Sequence, residues 1–318
     1  MNRGLLLLAT LCVVSPMASA FFEDFDTDTT SMWTVLKSGN NANNIATFNY
    51  DYSQLGIDSA NGSGGTTRGL RLQTNIAGGV LSGLSVSPNG QSFTTDFVMT
   101  ASVWLNYVGP LGPGGSGSTQ LGVMGWGTAG TTAQWLGNSL AQRDSVFFGT
   151  TLDGGSASDY RAYSNNAAGL TSYVAGSPVY AAPGGAINNS ASYYTTAFAP
   201  VSAPSAQLSL FPSQSGTTDA GETAFKWRTW RVEKSGNNLS YSIDNLLIAT
   251  VDLTTVTTAA AQNILIGMAD TNGSSTTGDP HGLNTMIVDN VRVQVVPEPG
   301  SMAALGLGVA ALLRRRRK

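Results

Sequence analysis

The stretch AFKWRTWRVEKSGNNLSYSIDNLLIATVDL (224–253) decides the fold class of this chain. Polar and apolar residues alternate along three short runs, as they do along half-buried strands. Gly236-Asn237-Asn238 separates the first two runs and Asp244-Asn245 the last two, and both are typical turn sequences. The stretch therefore predicts three successive antiparallel strands.

Similar runs occur on both sides of this stretch, at 69–74, 96–110, 145–155, 262–270 and 284–296. No long window between the two termini has a helical period, and turn residues recur about every 8–14 residues, as in all-β sandwiches and barrels. We therefore expect an all-β, jelly-roll-like antiparallel β-sandwich.

Glycine, serine, asparagine and alanine dominate three segments of the chain, at 109–118, 154–169 and 175–191. Such segments are typical of surface loops, and we predict long loops there. No linker sequence divides the chain between residues 21 and 296, so we predict that 21–296 forms the sandwich domain.

The charge distribution excludes one class of partner. Arg3 and the terminal RRRRK (314–318) supply six of the 16 Lys and Arg residues. Segment 21–313 therefore holds ten cations against 19 acids, a net charge of −9. Nucleic-acid binding needs Lys and Arg clustered on one face, and no such cluster occurs there. We expect no nucleic-acid partner.

The first 20 residues, MNRGLLLLATLCVVSPMASA, have the three regions of a secretory signal peptide. Arg3 precedes an apolar run, and Ala18-Ser19-Ala20 ends in the small residues of a cleavage site, which predicts a signal peptide at 1–20. Cys12 is the only cysteine, and Leu11 before it disfavours the alternative of a lipoprotein site. The processed protein would then hold no disulfide.

The C-terminal segment VVPEPGSMAALGLGVAALLRRRRK (295–318) combines two prolines, an apolar run and a basic end. The uncharged run 301–313 would form a helix about 20 Å long, shorter than the roughly 30 Å hydrocarbon core of a bilayer. A buried terminal helix is the alternative, but five consecutive cations disfavour it, and long arginine side chains extend the span of a short helix. We therefore predict a short transmembrane helix with a cytoplasmic basic end.

Pro297, Glu298 and Pro299, followed by this apolar run and arginine cluster, resemble the PEP-CTERM sorting signal. The resemblance implies a sorting segment at 297–318 that is recognised by exosortase, a membrane-embedded transpeptidase-like enzyme. It also implies a bacterial protein exported to the cell surface or extracellular matrix and associated with exopolysaccharide. The alternative is that the three residues form only a rigid linker before an anchor.

Three segments resemble concanavalin A-like lectins and glucanases: FFEDFDTDTTSMW (21–33), the 224–253 stretch, and MIVDNVRVQ (286–294). The resemblance implies a structural calcium ion held by Asp24 near the first strand and Asp289 in the last, completed by a backbone carbonyl. The alternative for Asp289 is a hydrogen bond to a neighbouring turn.

The acidic residues do not form a catalytic motif. Glucanases of this family carry Glu-x-Asp-x-x-Glu on one strand, and none of the four glutamates here belongs to such a motif. His281 is the only histidine, and no Gly-x-Ser-x-Gly sequence accompanies it. We therefore expect a protein that is not an enzyme; an enzyme acting on polysaccharides is the alternative.

Aromatic and polar residues that suit sugar binding concentrate in SDYRAYSNN (158–166). Asp159 and Arg161 can hydrogen-bond sugar hydroxyls, and Tyr160 offers an aromatic platform. We predict a glycan site at these three residues. The protein would then have a non-catalytic role, with extracellular polysaccharide as its partner. The alternatives are a loop whose aromatic residues cover the sandwich edge, and a purely structural or adhesive protein.

Overall fold

The computed structural model describes residues 19–38, 41–76, 81–110, 119–135, 137, 144–166, 169–257, 261–271, 279 and 281–296. Over these residues the chain forms fifteen strands, which pair only in antiparallel fashion within two sheets. Helices are few and short. The predicted all-β antiparallel sandwich is confirmed.

The first sheet contains eight strands: β1 (Ser19–Glu23), β3 (Ile45–Asp51), β4 (Arg68–Gln73), β6 (Phe97–Asn106), β11 (Arg228–Ser235), β12 (Asn238–Ile243), β13 (Leu246–Asp252) and β15 (Thr285–Val295). Their order is β13-β12-β11-β6-β15-β4-β3, and β1 also pairs with β15. The last strand thus lies in the middle of the sheet, between strands from the first third of the chain.

The second sheet contains seven strands: β2 (Trp33–Lys37), β5 (Gly83–Pro88), β7 (Gln120–Thr128), β8 (Val146–Thr151), β9 (Tyr160–Asn166), β10 (Gly169–Tyr173) and β14 (Asn263–Asp270). Their order is β10-β9-β8-β7-β14-β5-β2, so β9 and β10 form one edge.

The main core lies between the two sheets, where the inward-facing residues of both are buried. Phe148 of the second sheet stacks on Tyr241 of the first, with ring centroids 5.2 Å apart, and Trp230 packs edge-on against the same tyrosine. Burial of large aromatic side chains contributes about 1.5–3 kcal/mol each, and this contact joins the sheets near the centre of the core.

A second, smaller core lies on the outer face of the second sheet. Its buried members are Leu121, Val123, Ala133, Trp135, Phe147, Tyr163, Leu265 and Ala269. Trp135, which follows β7, lies across Gly83 so closely that a Cβ there would come 2.7 Å from the tryptophan Cβ. A tryptophan therefore covers part of an apolar sheet face.

A long segment, 174–227, covers one end of the sandwich and contains the helices α1 (Ser192–Thr195) and α2 (Ser205–Leu210). Tyr194 of α1 stacks on Tyr160 of β9, with ring centroids 4.0 Å apart. Tyr160 in turn donates a hydrogen bond from its hydroxyl to the Gly221 carbonyl. Tyr160 of the second sheet thus contacts the covering segment at two places, Tyr194 and Gly221.

The structure confirms the three strands predicted in 224–253, and both predicted turns contain residues of positive φ, among them Gly236 (55°) and Asn245 (69°). The predicted loop over 154–169 is wrong in part, because β9 starts at Tyr160. Its side chains alternate between the main core and the outer face, so its polar composition does not prevent pairing.

The predicted signal peptide (1–20) lies almost entirely outside the described residues, and the predicted sorting segment and transmembrane helix (297–318) lie entirely outside them. Among the residues that the structure describes, no helix is long and apolar enough to cross a membrane.

Candidate functional site

The three residues predicted to bind glycan lie on different sides of the second sheet. Asp159 and Tyr160 are fully buried at the start of β9, on the side of the main core. Arg161 lies on the opposite, outer face and is partly exposed. Tyr160 and Arg161 are consecutive in β9 and therefore face opposite sides of the sheet. Asp159 precedes the strand and is buried by its contacts with Thr151 and Asn189, so only Arg161 is placed to meet a ligand from solvent.

Arg161 is held in position by the loop before β9. Its Nε donates to the Ser158 carbonyl (2.6 Å), and its Nη2 donates to Ser156 Oγ (2.8 Å). Nη1 makes only a long contact of 3.5 Å with the Tyr163 hydroxyl. The guanidinium is therefore fixed in orientation while part of its donor capacity is free.

A cavity of about 390 Å³ opens beside this guanidinium. Its lining includes Ser158, Arg161, Tyr163, Tyr173, Val174 and Ile187. Tyr163 is packed against Phe147, with ring centroids 4.9 Å apart, and is almost fully buried. Tyr173 also lines the cavity, but it pairs with Ala162, its hydroxyl lies 3.1 Å from Ser164 Oγ, and its ring packs against the main core.

A cluster of buried carboxyl groups lies on the inner side of the same region. Asp159 accepts hydrogen bonds from the Thr151 hydroxyl (3.0 Å) and the Asn189 backbone N–H (2.8 Å). Glu222 is 1% exposed, and neither of its carboxyl oxygens has a partner at hydrogen-bond geometry. Asp153, also buried, accepts a hydrogen bond from the Gly155 N–H.

Burial dominates the protonation of this cluster. It raises the pKa of Asp159 to about 7, although hydrogen bonds from Asn189 and Thr151 and the charge of Arg161 oppose the shift. Burial, followed by the charges of Asp159 and Asp153, raises the pKa of Glu222 well above its usual value, and the nearby Asn189 side chain opposes this only weakly. A carboxyl group buried without a cation is stable in its neutral form. Burial therefore favours the neutral form of Glu222.

The predicted calcium residues lie near the junction of β1 and β15, with Asp24 directly after β1 and Asp289 within β15. Asp289 is fully buried and accepts hydrogen bonds from the Tyr52 hydroxyl (3.1 Å) and the Asn290 N–H (2.6 Å). Burial, and then the charges of Asp26 and Asp24, raise the pKa of Asp289 to about 7. The three carboxyl groups are thus near one another.

The carboxyl oxygens of Asp24, Asp26 and Asp289 are ligands of the kind that a hard cation binds. Asp26 Oδ1 is buried without a hydrogen-bond partner, and Asp24 accepts only from the Asp26 N–H (3.1 Å) among the hydrogen bonds of the described residues. In the described part of the chain, no group of three or more His, Cys, Asp or Glu side chains is arranged to hold a metal ion. A calcium ion here would therefore need backbone carbonyls besides two carboxylates.

Asp270 and Asp279, two acidic residues near His281 in sequence, are engaged by hydrogen bonds. Asp279 accepts hydrogen bonds from the N–H groups of Leu283 and Asn284, and the His281 ring packs on Phe211 with centroids 5.2 Å apart. Asp270 accepts from the Asn75 amide and from the Thr119 hydroxyl. These contacts give the acids structural roles.

Residues 295–318 match the family model described as the PEP-CTERM protein-sorting motif. The chain carries a PEP-CTERM sorting motif. The motif marks an exported protein that an exosortase processes for the cell surface or the extracellular space. It covers only the end of the chain, and its Pro297, Glu298 and Pro299 lie outside the described residues. No curated protein matches the PEP-CTERM chain.

Solved structures similar to the chain are β-sandwich glucanases and carbohydrate-binding modules. A glycoside hydrolase family 16 endo-glucanase from Bacteroides ovatus is 14% identical, with 86% of this chain and 99% of that chain covered and a TM-score of 0.42. A β-glucanase from Bacillus licheniformis is 10% identical, with 88% of this chain and 99% of that chain covered and a TM-score of 0.42. The carbohydrate-binding module CBM66 from Bacillus subtilis is 7% identical, with 71% of this chain and 86% of that chain covered and a TM-score of 0.34. The activities of these proteins do not transfer to this chain at such identities.

Proposed function

We propose that this exported protein acts at the cell surface or in the extracellular matrix as a non-catalytic glycan-binding protein. The observation that carries the proposal is the cavity of about 390 Å³ beside Arg161 and Tyr173. Ligand sites combine apolar surface with a few fixed polar groups, and this cavity offers both.

Each lining residue has a distinct role in this proposal. The free N–H groups of Arg161 donate hydrogen bonds to sugar oxygens. Val174, which is 68% exposed, and the buried Ile187 provide apolar surface at the rim and the floor of the cavity. Asp159 and Tyr160 act from beneath, as structural support of β9.

The contacts of the described glutamates favour a non-catalytic role. Glu23 accepts hydrogen bonds from the Phe25 N–H and the Trp33 indole. Glu233 pairs with Arg231 at 2.7 Å, and Glu222 is closed to solvent. Glycoside hydrolysis needs two carboxyl groups that flank a bound sugar, and none of these three lines the cavity beside Arg161.

We also propose how the chain reaches this location. Residues 1–20 direct export as a signal peptide, and the apolar run 301–313 holds the precursor in the membrane as a short helix. Exosortase recognises Pro297, Glu298 and Pro299 and releases the basic end. The product then associates with extracellular polysaccharide.

A structural calcium ion at Asp24 and Asp289 is a further part of the proposal. The buried, unpartnered Asp26 oxygen and the clustered negative charge support it. When bound, calcium would neutralise these carboxylates and join the first strand to the last.

The test is binding of the purified full-length protein to a panel of polysaccharides, with reducing-sugar release measured in the same wells. We expect saturable binding to at least one polymer and no release of reducing ends. Release of reducing ends would contradict the non-catalytic assignment, and absence of binding to every polymer would favour a purely structural or adhesive protein.

A further inference from the structure

Arg161 is a cation without a carboxylate partner at ion-pair distance among the described residues. Arg68, Arg228 and Arg231 each lie within ion-pair distance of an acidic side chain, whereas no such pair forms at Arg161 among the described residues. Its hydrogen bonds to Ser158 and Ser156 go to neutral oxygens. The positive charge at the cavity is therefore not neutralised by a direct partner.

The geometry leaves two donors for a ligand. A guanidinium has five N–H groups, and three are engaged by Ser158, Ser156 and, at the long distance of 3.5 Å, Tyr163. The free donors are on the two terminal nitrogens. In this arrangement a guanidinium can donate one hydrogen bond to each oxygen of a carboxylate.

The loop that holds Arg161 is itself fixed. The Ser158 N–H donates to Ser156 Oγ (3.1 Å), and the Asn188 side chain donates to the Ser156 carbonyl (3.4 Å). An arginine fixed in this way loses little side-chain entropy when it binds an anion. Beneath it, the nearest carboxyl group, Asp159, is fully buried and engaged by Thr151 and Asn189.

We propose that the cavity beside Arg161 selects an acidic sugar, with the carboxylate of a uronate residue bound by the Arg161 guanidinium. This inference rests on the proposed glycan-binding function and specifies its ligand class. A strongly acidic chain that binds an acidic polymer needs one local positive site, and Arg161 supplies it.

The test compares polymers that differ only in charge. Full-length protein is titrated with polygalacturonate and with the same polymer after chemical reduction of its carboxyl groups, and with a neutral β-glucan. We expect the wild-type protein to bind polygalacturonate about tenfold more tightly than the reduced polymer, with the difference shrinking at high salt.

Two variants locate the effect. Arg161→Gln should lose the tenfold preference, and Arg161→Lys should keep only part of it because a lysine cannot bind a carboxylate through two nitrogens. Arg68→Gln, which removes the same charge from the first sheet, is the matched control and should keep the preference. Thermal unfolding of each variant checks that it folds.

The outcomes separate this inference from the proposed function. Equal binding of the native and reduced polymers, or an unchanged preference in Arg161→Gln, overturns the acidic-sugar inference and leaves glycan binding intact. Absence of binding to all three polymers overturns the inference and also counts against the proposed function. The comparison of the two polymers needs no variant, so a misfolded Arg161→Gln does not prevent a decision.

Discussion

The carboxyl group of Glu222 lies directly against the backbone of Gly154, and a Cβ added to that glycine would overlap Glu222 Oε1. Gly154 has a φ of 66°, in the left-handed region that other residues rarely adopt. The glycine therefore satisfies two requirements at once, a turn after β8 and space for a buried acid.

Gly154→Ala should lower the free energy of unfolding by about 3 kcal/mol or more, because backbone strain adds to the overlap with Glu222. Gly236→Ala is the matched control: its φ is 55°, but nothing lies within 4 Å of the added Cβ, so about 1 kcal/mol is expected. Chemical denaturation measures both. Combining Gly154→Ala with Glu222→Ala should give a smaller loss than the sum of the two, and simple additivity would contradict the contact.

The buried acids predict that stability falls as pH rises. Burial raises the pKa of Asp159 to about 7 and also raises the pKa of Glu222 well above its usual value, so the folded state binds more protons than the unfolded state once the unfolded chain starts to ionise. Their stabilising contribution is complete below the unfolded pKa values and is lost as pH rises through the folded ones. One pKa unit corresponds to about 1.4 kcal/mol.

Denaturation at several pH values between 5 and 9 would measure this slope. Glu222→Gln, which mimics the protonated acid, should flatten it, whereas Glu233→Gln at the surface should not. A stability that increases over this range in the wild-type protein would show that the two acids are ionised in the folded state.

Removal of Trp135 should expose the outer face of the second sheet. Trp135→Ala is expected to cost about 3–5 kcal/mol and to increase binding of a hydrophobic dye such as ANS, because Leu121, Val123 and Phe147 lose their cover. Gly83→Ala should also increase dye binding, because the added Cβ displaces the tryptophan. Gly90→Ala is the control and should not increase dye binding, because nothing lies within 4 Å of the added Cβ. Unchanged dye binding in the first two variants would indicate another cover.

Calcium should raise the melting temperature relative to a chelator if Asp24 and Asp289 bind the ion, since a ligand of the folded state stabilises it by mass action. The measured quantity is the difference between the two conditions, because Asp289→Asn also disturbs the hydrogen bond from Tyr52. That difference should vanish in Asp289→Asn and persist in Asp252→Asn. Equal melting temperatures of the wild-type protein in both conditions would exclude the ion.

Processing of the PEP-CTERM motif predicts a mature protein without Arg314–Lys318. C-terminal peptide mass on protein from the producing cells would measure this, and Glu298→Ala should cause the unprocessed chain to accumulate. Mature protein that retains the five cations would leave anchoring, without cleavage, as the role of the segment.

The strands of 224–253 could be predicted because alternation and turn residues agree there, but β9 could not be located, since its outward residues are polar and its neighbours are glycines and serines. The sequence pointed to Arg161 but not to its separation from Asp159, which depends on where the strand starts. Glu222 gave no signal at all, because a single glutamate near a turn is ordinarily solvated. Its burial results from contact with Gly154, which is distant in sequence.

The position of β15 has a consequence for the timing of folding. This strand is inserted between β6 and β4 and also pairs with β1, so the first sheet lacks its middle until residues 285–295 are available. A chain that leaves a translocation channel from its N-terminus would hold two incomplete parts of the first sheet until β15 has emerged. Pairing between strands so distant in sequence is slow. The PEP-CTERM motif begins where β15 ends. The residues that complete the first sheet and those of the sorting motif therefore become available almost together, at the end of the chain.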